Sequence, residues 1–171
     1  MADRNAPHPG PVQGRTPPDP ATVIATWFGV GLLPLAPGTW GSLAALPFAA
    51  LIAWLFGARA LLLAAVVLFF IGWWAAHRVV RTTGVEDPGS VVVDEVVGQW
   101  LTLVVTPPDV TAYVAGFLLF RVFDVLKPWP ARWLDQHVGG GLGIMADDIA
   151  AGFYAATALL LLLLALGKPL A

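Results

Sequence analysis

The chain contains no cysteine and very little serine. Without cysteine there are no disulfides, no thiolate metal sites and no thiol-dependent phosphatase chemistry, while the compartment stays open. Serine occurs only at Ser42 and Ser90, which argues against a Ser-His-Asp hydrolase. Charge is scarce as well: 12% of the 171 residues are charged and 58% are apolar. A soluble domain carries about 25% charged residues, so this chain has too few to coat a water-facing surface, and lipid contact is the alternative. A net charge of −2 gives no reason to expect nucleic acid as a partner. There is also no Cys-x5-Arg loop, no Asp-x-Asp nucleophile motif and no Pro-Ser-Gly-His element. Phosphatase chemistry would therefore need metal-activated water or an Asp nucleophile in some other setting.

What is present is a series of apolar runs. Residues 1–20 form a proline-rich tail that cannot build a core and is expected to be disordered. Residues 21–171 read as a single membrane-embedded domain. Val23 to Pro37 is broken by Gly29, Gly31 and Pro34, predicting a short first helix and an irregular entry loop. Five runs follow: Ser42–Phe56, Ala58–Val80, Val91–Val105, Val110–Leu126 and Ile149–Leu166. Crossing the hydrocarbon takes about 20 residues, with a range of roughly 17 to 25. The second, fourth and fifth runs qualify. The first and third are short, and Pro47 is expected to kink the first. The fold class is thus all-α: a polytopic membrane helical bundle with four to five membrane helices, one of them short or re-entrant, plus short interfacial helices.

Orientation follows from the basic residues. If all five runs span and the tail is cytoplasmic, Arg4, Arg15, Arg78, Arg81, Lys127 and Arg132 lie inside, whereas Arg59 and Lys168 lie outside. Trp129 and Trp133, four residues apart, read as a membrane-surface anchor, and Trp73 and Trp74 as another.

Most chemical information lies in the acids. Asp3 and Asp19 fall in the tail, while Glu86, Asp87 and Asp109 stand beside prolines where solvated turn roles suffice. Asp94, Glu95, Asp124, Asp147 and Asp148 adjoin or enter apolar runs. Ionisable groups at membrane depth cost about 2.5–3.5 kcal/mol each on insertion scales. On the topology above, three segments bring these five carboxylates to one depth at one face. A hard divalent cation would relieve their repulsion, and an oxygen-only ligand set favours Mg²⁺ or Mn²⁺ over Zn²⁺. Each group also has a simpler reading. Asp147 or Asp148 would serve as a helix cap, and Asp124 would pair with Arg121 or Lys127. Asp94 and Glu95 have no base within a helical turn.

Arg121, Asp124 and Lys127 form a cation–carboxylate–cation stripe that suits a phosphate bridged to a metal. Pro37-Gly38-Thr39-Trp40-Gly41-Ser42 reads as a Gly-rich loop before a helix. Its backbone N–H groups are candidates to cradle phosphate, and Ser42 serves equally well as a plain N-cap. Gly139-Gly140-Gly141-Leu142-Gly143 reads as a flexible or closely approaching loop before Asp147. His77 and His137 are the weaker candidates for proton transfer.

Four blocks carry a family resemblance. They are Ala36-Pro37-Gly38-Thr39-Trp40-Gly41-Ser42-Leu43, then Val93-Asp94-Glu95-Val96-Val97-Gly98, then the stretch from Phe120 to Pro130 that contains Arg121, Asp124 and Lys127, and last the stretch from Gly140 to Gly152 that contains Asp147 and Asp148. In this order they resemble the bacterial phosphatidylglycerophosphatase A family, over most of Thr22 to Leu166. The resemblance implies a Mg²⁺-dependent inner-membrane lipid phosphatase in phospholipid biosynthesis. Such an enzyme converts phosphatidylglycerophosphate to phosphatidylglycerol and inorganic phosphate at the cytoplasmic face. The expected mechanism is hydrolysis by metal-activated water. Asp94, Glu95, Asp124, Asp147 and Asp148 are the expected metal ligands, with Asp94, Glu95, Asp124 and Asp148 catalytic. Arg121, Lys127, Thr39 and Ser42 are expected to hold the phosphate or headgroup. The alternative is a divalent-cation transporter or channel using the same acids.

Overall fold

The computed structural model describes residues 19–171, all helix, turn and loop with no strand among them. The expected disordered tail lies outside the described residues up to position 18. Its last two positions instead begin a helix. Asp19 caps α1 (Pro20–Ala25), accepting from the Ala21 N–H, and Pro20 takes the first helical position, where its missing N–H has no cost. Asp19 also bonds the Arg78 Nε at 2.8 Å. That hydrogen bond holds the Asp19 carboxyl below its usual pKa and ties α1 to the third helix. A 3-10 turn at Val30–Leu32 follows.

Six further helices complete the chain: α2 (Pro37–Phe56), α3 (Ala58–Thr83), α4 (Val93–Leu103), α5 (Val110–Leu126), α6 (Ala131–His137) and α7 (Gly140–Ala165). Two begin earlier than their sequences suggest. The Pro37–Ser42 segment is the first turns of α2 and not a loop, with Pro37 at the helix start. Ser42 is therefore no N-cap; its hydroxyl donates back to the Gly38 carbonyl at 2.9 Å. This extension makes α2 20 residues long, about 30 Å at 1.5 Å per residue, enough to span. The helix runs on through Pro47. Likewise Gly140–Gly143 is helical and opens α7, which is 26 residues long. Asp147 and Asp148 thus sit inside α7, and the capping role considered for them is ruled out; Gly139 is the cap.

By length and apolar character, α2, α3 and α7 can each cross a membrane. At 17 residues, α5 reaches the lower end of the spanning range. The outlier is α4, with only 11 residues, about 16 Å. Every residue from Val96 to Leu103 is buried, because α4 packs against α2, α3, α5 and α7. A helix too short to span is stable at membrane depth when protein surrounds it, so the short third run is this bundle's central post.

Glycines permit the closest packing. A Cβ on Gly98 of α4 would fall 2.7 Å from the Asp148 carbonyl, and one on Gly152 of α7 would fall 2.7 Å from the Gly98 carbonyl. Small residues let helix backbones approach in this way. The contact sets α4 beside the acidic pair of α7. Trp129 and Trp133 remain exposed near the end of the bundle where α5 stops and α7 starts.

Candidate active site

At that end of the bundle lies a cavity of about 470 Å³. Eight acidic side chains and two basic ones line it. All five carboxylates singled out in the sequence are there, together with Arg121 and Lys127. Three elements deliver them. The first turn of α4 presents Asp94 and Glu95, where the helix dipole favours negative charge. The last turns of α5 present Arg121 and Asp124, and Lys127 caps its C-terminus. From α7, the third turn contributes Asp147 and Asp148, both buried.

Asp94, Glu95 and Asp148 each offer a carboxylate oxygen, and these oxygens lie within 4.8 Å of one another. Asp94 Oδ1 and Glu95 Oε2 are buried with no hydrogen-bond partner. A buried polar atom left unpaired is costly, more so when charged. An all-oxygen donor set with orphaned lone pairs fits a hard divalent cation such as Mg²⁺.

The remaining two carboxylates face bases. Asp124 pairs with Arg121 at 2.5 Å, and the same guanidinium stands 4.0 Å from Glu95. Asp147 pairs with Lys127 at 2.7 Å. The pairing considered for Asp124 from its spacing is thus real, and it sits inside the acidic cavity. Lys127 also holds Asp135 at 2.6 Å. Partial burial alone would lower the Lys127 pKa, but these two carboxylates outweigh it and raise it above the usual lysine value. Lys127 is therefore a clamp joining α6 to α7 as well as a charge beside the site.

Gly38 explains how α2 takes part. A Cβ there would collide with Glu95 Oε1, so only glycine lets that carboxylate rest against the first turn of α2, a helix N-terminus that favours anions. The cavity wall includes Gly38 but neither Thr39 nor Ser42. Thr39 is half-buried outside it. Ser42 is fully buried and accepts from Arg121 Nη1 at 3.3 Å, so it supports the guanidinium from behind. Both were expected to hold the phosphate or headgroup; here neither side chain lines the cavity wall, and Ser42 reaches it through Arg121.

Three acids of the cavity were not foreseen. Asp135 has no role in the sequence reading, and Glu86 and Asp87 are read there as solvated turn residues, yet all three line the cavity. Asp135 shares the short segment of Trp129 and Trp133, whose spacing indicates surface anchoring and nothing about the cavity. His137 ends α6 with its ring stacked on Trp133, and His77 lies on the exposed side of α3; neither lines this cavity.

A polytopic helical membrane protein with a polyanionic cavity at one end of its bundle, two bases set among the acids, is a membrane enzyme or carrier that handles a cation together with an anion. Comparison with known proteins narrows this class. The chain belongs to the phosphatidylglycerophosphatase A family, whose model matches residues 23–163. It is 45% identical over 139 residues to phosphatidylglycerophosphatase A of Escherichia coli (strain K12), covering 81% of this chain and 80% of that one. It is 39% identical over 138 residues to the protein of that name from Haemophilus influenzae, covering 80% and 85%. No solved structure matches the chain.

Proposed function

We propose that this protein is a Mg²⁺-dependent phosphatidylglycerophosphatase of the bacterial inner membrane, with its cavity facing the cytoplasm. The reaction adds water to phosphatidylglycerophosphate, breaks the terminal P–O bond, and yields phosphatidylglycerol and inorganic phosphate. The observation that carries this reading is the cluster of Asp94, Glu95 and Asp148, with unpaired buried oxygens, beside Arg121 in one cavity. A phosphate dianion would be repelled by eight carboxylates unless a cation intervened. Asp94, Glu95 and Asp148 would hold Mg²⁺, flanked by Asp124 and Asp147. When bound, the ion supplies Lewis-acid charge neutralisation and acidifies water.

The chain's own groups do the rest. Arg121, kept in place by Asp124 and Ser42, orients a phosphoryl oxygen and offsets its charge. The first turn of α2 at Gly38 adds backbone dipole at the same wall. One carboxylate of the set accepts the proton lost by the attacking water, and the departing alcohol oxygen takes a proton in turn. Lys127, held by two carboxylates, fixes Asp147 and has little charge left over for phosphate. The basic residues support the orientation: Arg78, Arg81, Lys127 and Arg132 belong to the cavity end of the helices, and Arg59 and Lys168 to the other. The transporter alternative is not favoured, since the cavity acids all gather at one end of the bundle.

The test is phosphate release by purified protein in detergent. Phosphatidylglycerophosphate should be hydrolysed with Mg²⁺ and not with chelator. Lack of release at saturating Mg²⁺, or unchanged release in Asp94→Asn and Asp148→Asn, would overturn the proposal.

A further inference from the structure

Outside the acidic cavity, two adjoining hollows run along the outward side of α3. One, about 510 Å³, is walled by Trp74, His77, Arg78 and Arg81. The other, about 450 Å³, is walled by Phe70, Trp73, Leu142 and the same Trp74 and His77. The shared residues make them one groove with a basic half and an apolar half. Phe70, Trp74, His77 and Arg81 follow at steps of four, three and four, so they form one stripe on the helix. From Phe70 to Arg81 the stripe rises about 16 Å.

The order along this stripe is informative. Because α3 ends at Thr83 on the cavity side of the bundle, the basic half lies at that membrane boundary and the apolar half lies deeper. A phospholipid in the adjacent leaflet has the same order, with its phosphate outermost, its glycerol at the level of interfacial tryptophans, and its acyl chains inward. Asp19 occupies the Nε of Arg78, yet the groove still carries a cationic excess through Arg81. It contains none of the eight acids of the catalytic cavity, and it meets that cavity only at Gly139, which lines both.

We propose that this groove is a second lipid site, which holds an anionic glycerophospholipid with its phosphodiester against Arg78 and Arg81 and an acyl chain along Phe70, Trp73 and Leu142. The site is independent of the catalytic reading, because its residues take no part in hydrolysis. The charge pattern selects an anionic headgroup over a zwitterionic one, and the apolar half requires a lipid, not a free anion.

Binding can be measured by native mass spectrometry or thermophoresis on the full chain in nonionic detergent, with phosphatidylglycerol, phosphatidylcholine and inorganic phosphate as separate probes. Wild type should bind phosphatidylglycerol at least fivefold more tightly than phosphatidylcholine and should not respond to millimolar phosphate. Arg81→Gln, at an exposed position, should lose that preference, and Leu142→Asp should weaken phosphatidylglycerol binding about tenfold. Asp94→Asn should bind as wild type, which separates this groove from the catalytic cavity. Circular dichroism and melting without lipid establish that each variant is folded. Equal affinity for the two lipids, competition by phosphate alone, unchanged preference in folded Arg81→Gln, or loss of binding in folded Asp94→Asn would each overturn the proposal.

Discussion

Gly152 of α7 presses on Gly98 of α4 so closely that the Gly98 carbonyl lies 2.7 Å from where a Gly152 Cβ would stand. The contact lies one helical turn below Asp148 and one below Asp94, so the spacing between the two acid-bearing helices depends on it. Gly152→Ala should force the helices apart at a cost of about 1–3 kcal/mol. The expected outcome is a lower unfolding temperature in detergent together with a larger loss of phosphate release than a remote Gly→Ala change gives. Normal activity and melting in Gly152→Ala would show that the contact does not set the site.

Removing one carboxylate of the Asp94, Glu95 and Asp148 cluster should lower kcat roughly 100-fold, in line with the loss of one electrostatic element of an active site. Glu95→Gln keeps the shape and removes the charge. It should also shift the Mg²⁺ concentration for half activity upward, whereas a purely structural role would leave that concentration unchanged.

On the proposed mechanism, Ser42 acts on the reaction through Arg121. Ser42→Ala deletes an acceptor 3.3 Å from the guanidinium, a hydrogen bond of about 1 kcal/mol, so phosphate release should fall about fivefold. Thr39→Ala, outside the cavity wall, should stay within about twofold of wild type. Kinetic comparison of the two separates support of Arg121 from direct headgroup contact.

Lys127 provides a test by pH. Its folded pKa is raised above the unfolded value, so its contribution to stability is complete below the unfolded lysine pKa of about 10.4 and declines only as pH rises toward the folded value. The difference in melting temperature between wild type and Lys127→Met should therefore be constant from neutral pH to about pH 9 and shrink at higher pH. A difference that already vanishes between pH 7 and 9 would contradict the clamp.

Much of this was legible in the sequence because membrane cost makes buried acids conspicuous. Asp94, Glu95, Asp124, Asp147 and Asp148 stand out against apolar runs, and alternating topology by itself brings them to one end. Helix starts were harder to place. Pro37 and Gly38 or Gly140 and Gly141 are as typical of loops as of first turns, and the packing that decides between them is long-range: Gly38 against Glu95, and Gly141 against the His77 backbone. Asp135 escaped for a related reason. The chain turns back after Lys127, which brings Asp135, eight residues on, to the cavity and into a pair with that lysine. Pro128 and Pro130 mark a break after Lys127, but nothing local fixes the direction in which the chain returns.

The short helix α4 also bears on how the protein is made. Its 11 residues carry two carboxylates in the first turn and keep their apolar surface for neighbouring helices alone. Such a segment has no stable state as a lone insertion into lipid, so it must reach its depth along with partners that flank it on both sides in the chain. Both α5 and α7 follow α4 in the chain, so α4 is fully enclosed only once α7 is in place. A chain interrupted before Gly140 would leave α4 without α7 to pack on, and Asp94 and Glu95 without the cavity wall that carries Asp147 and Asp148.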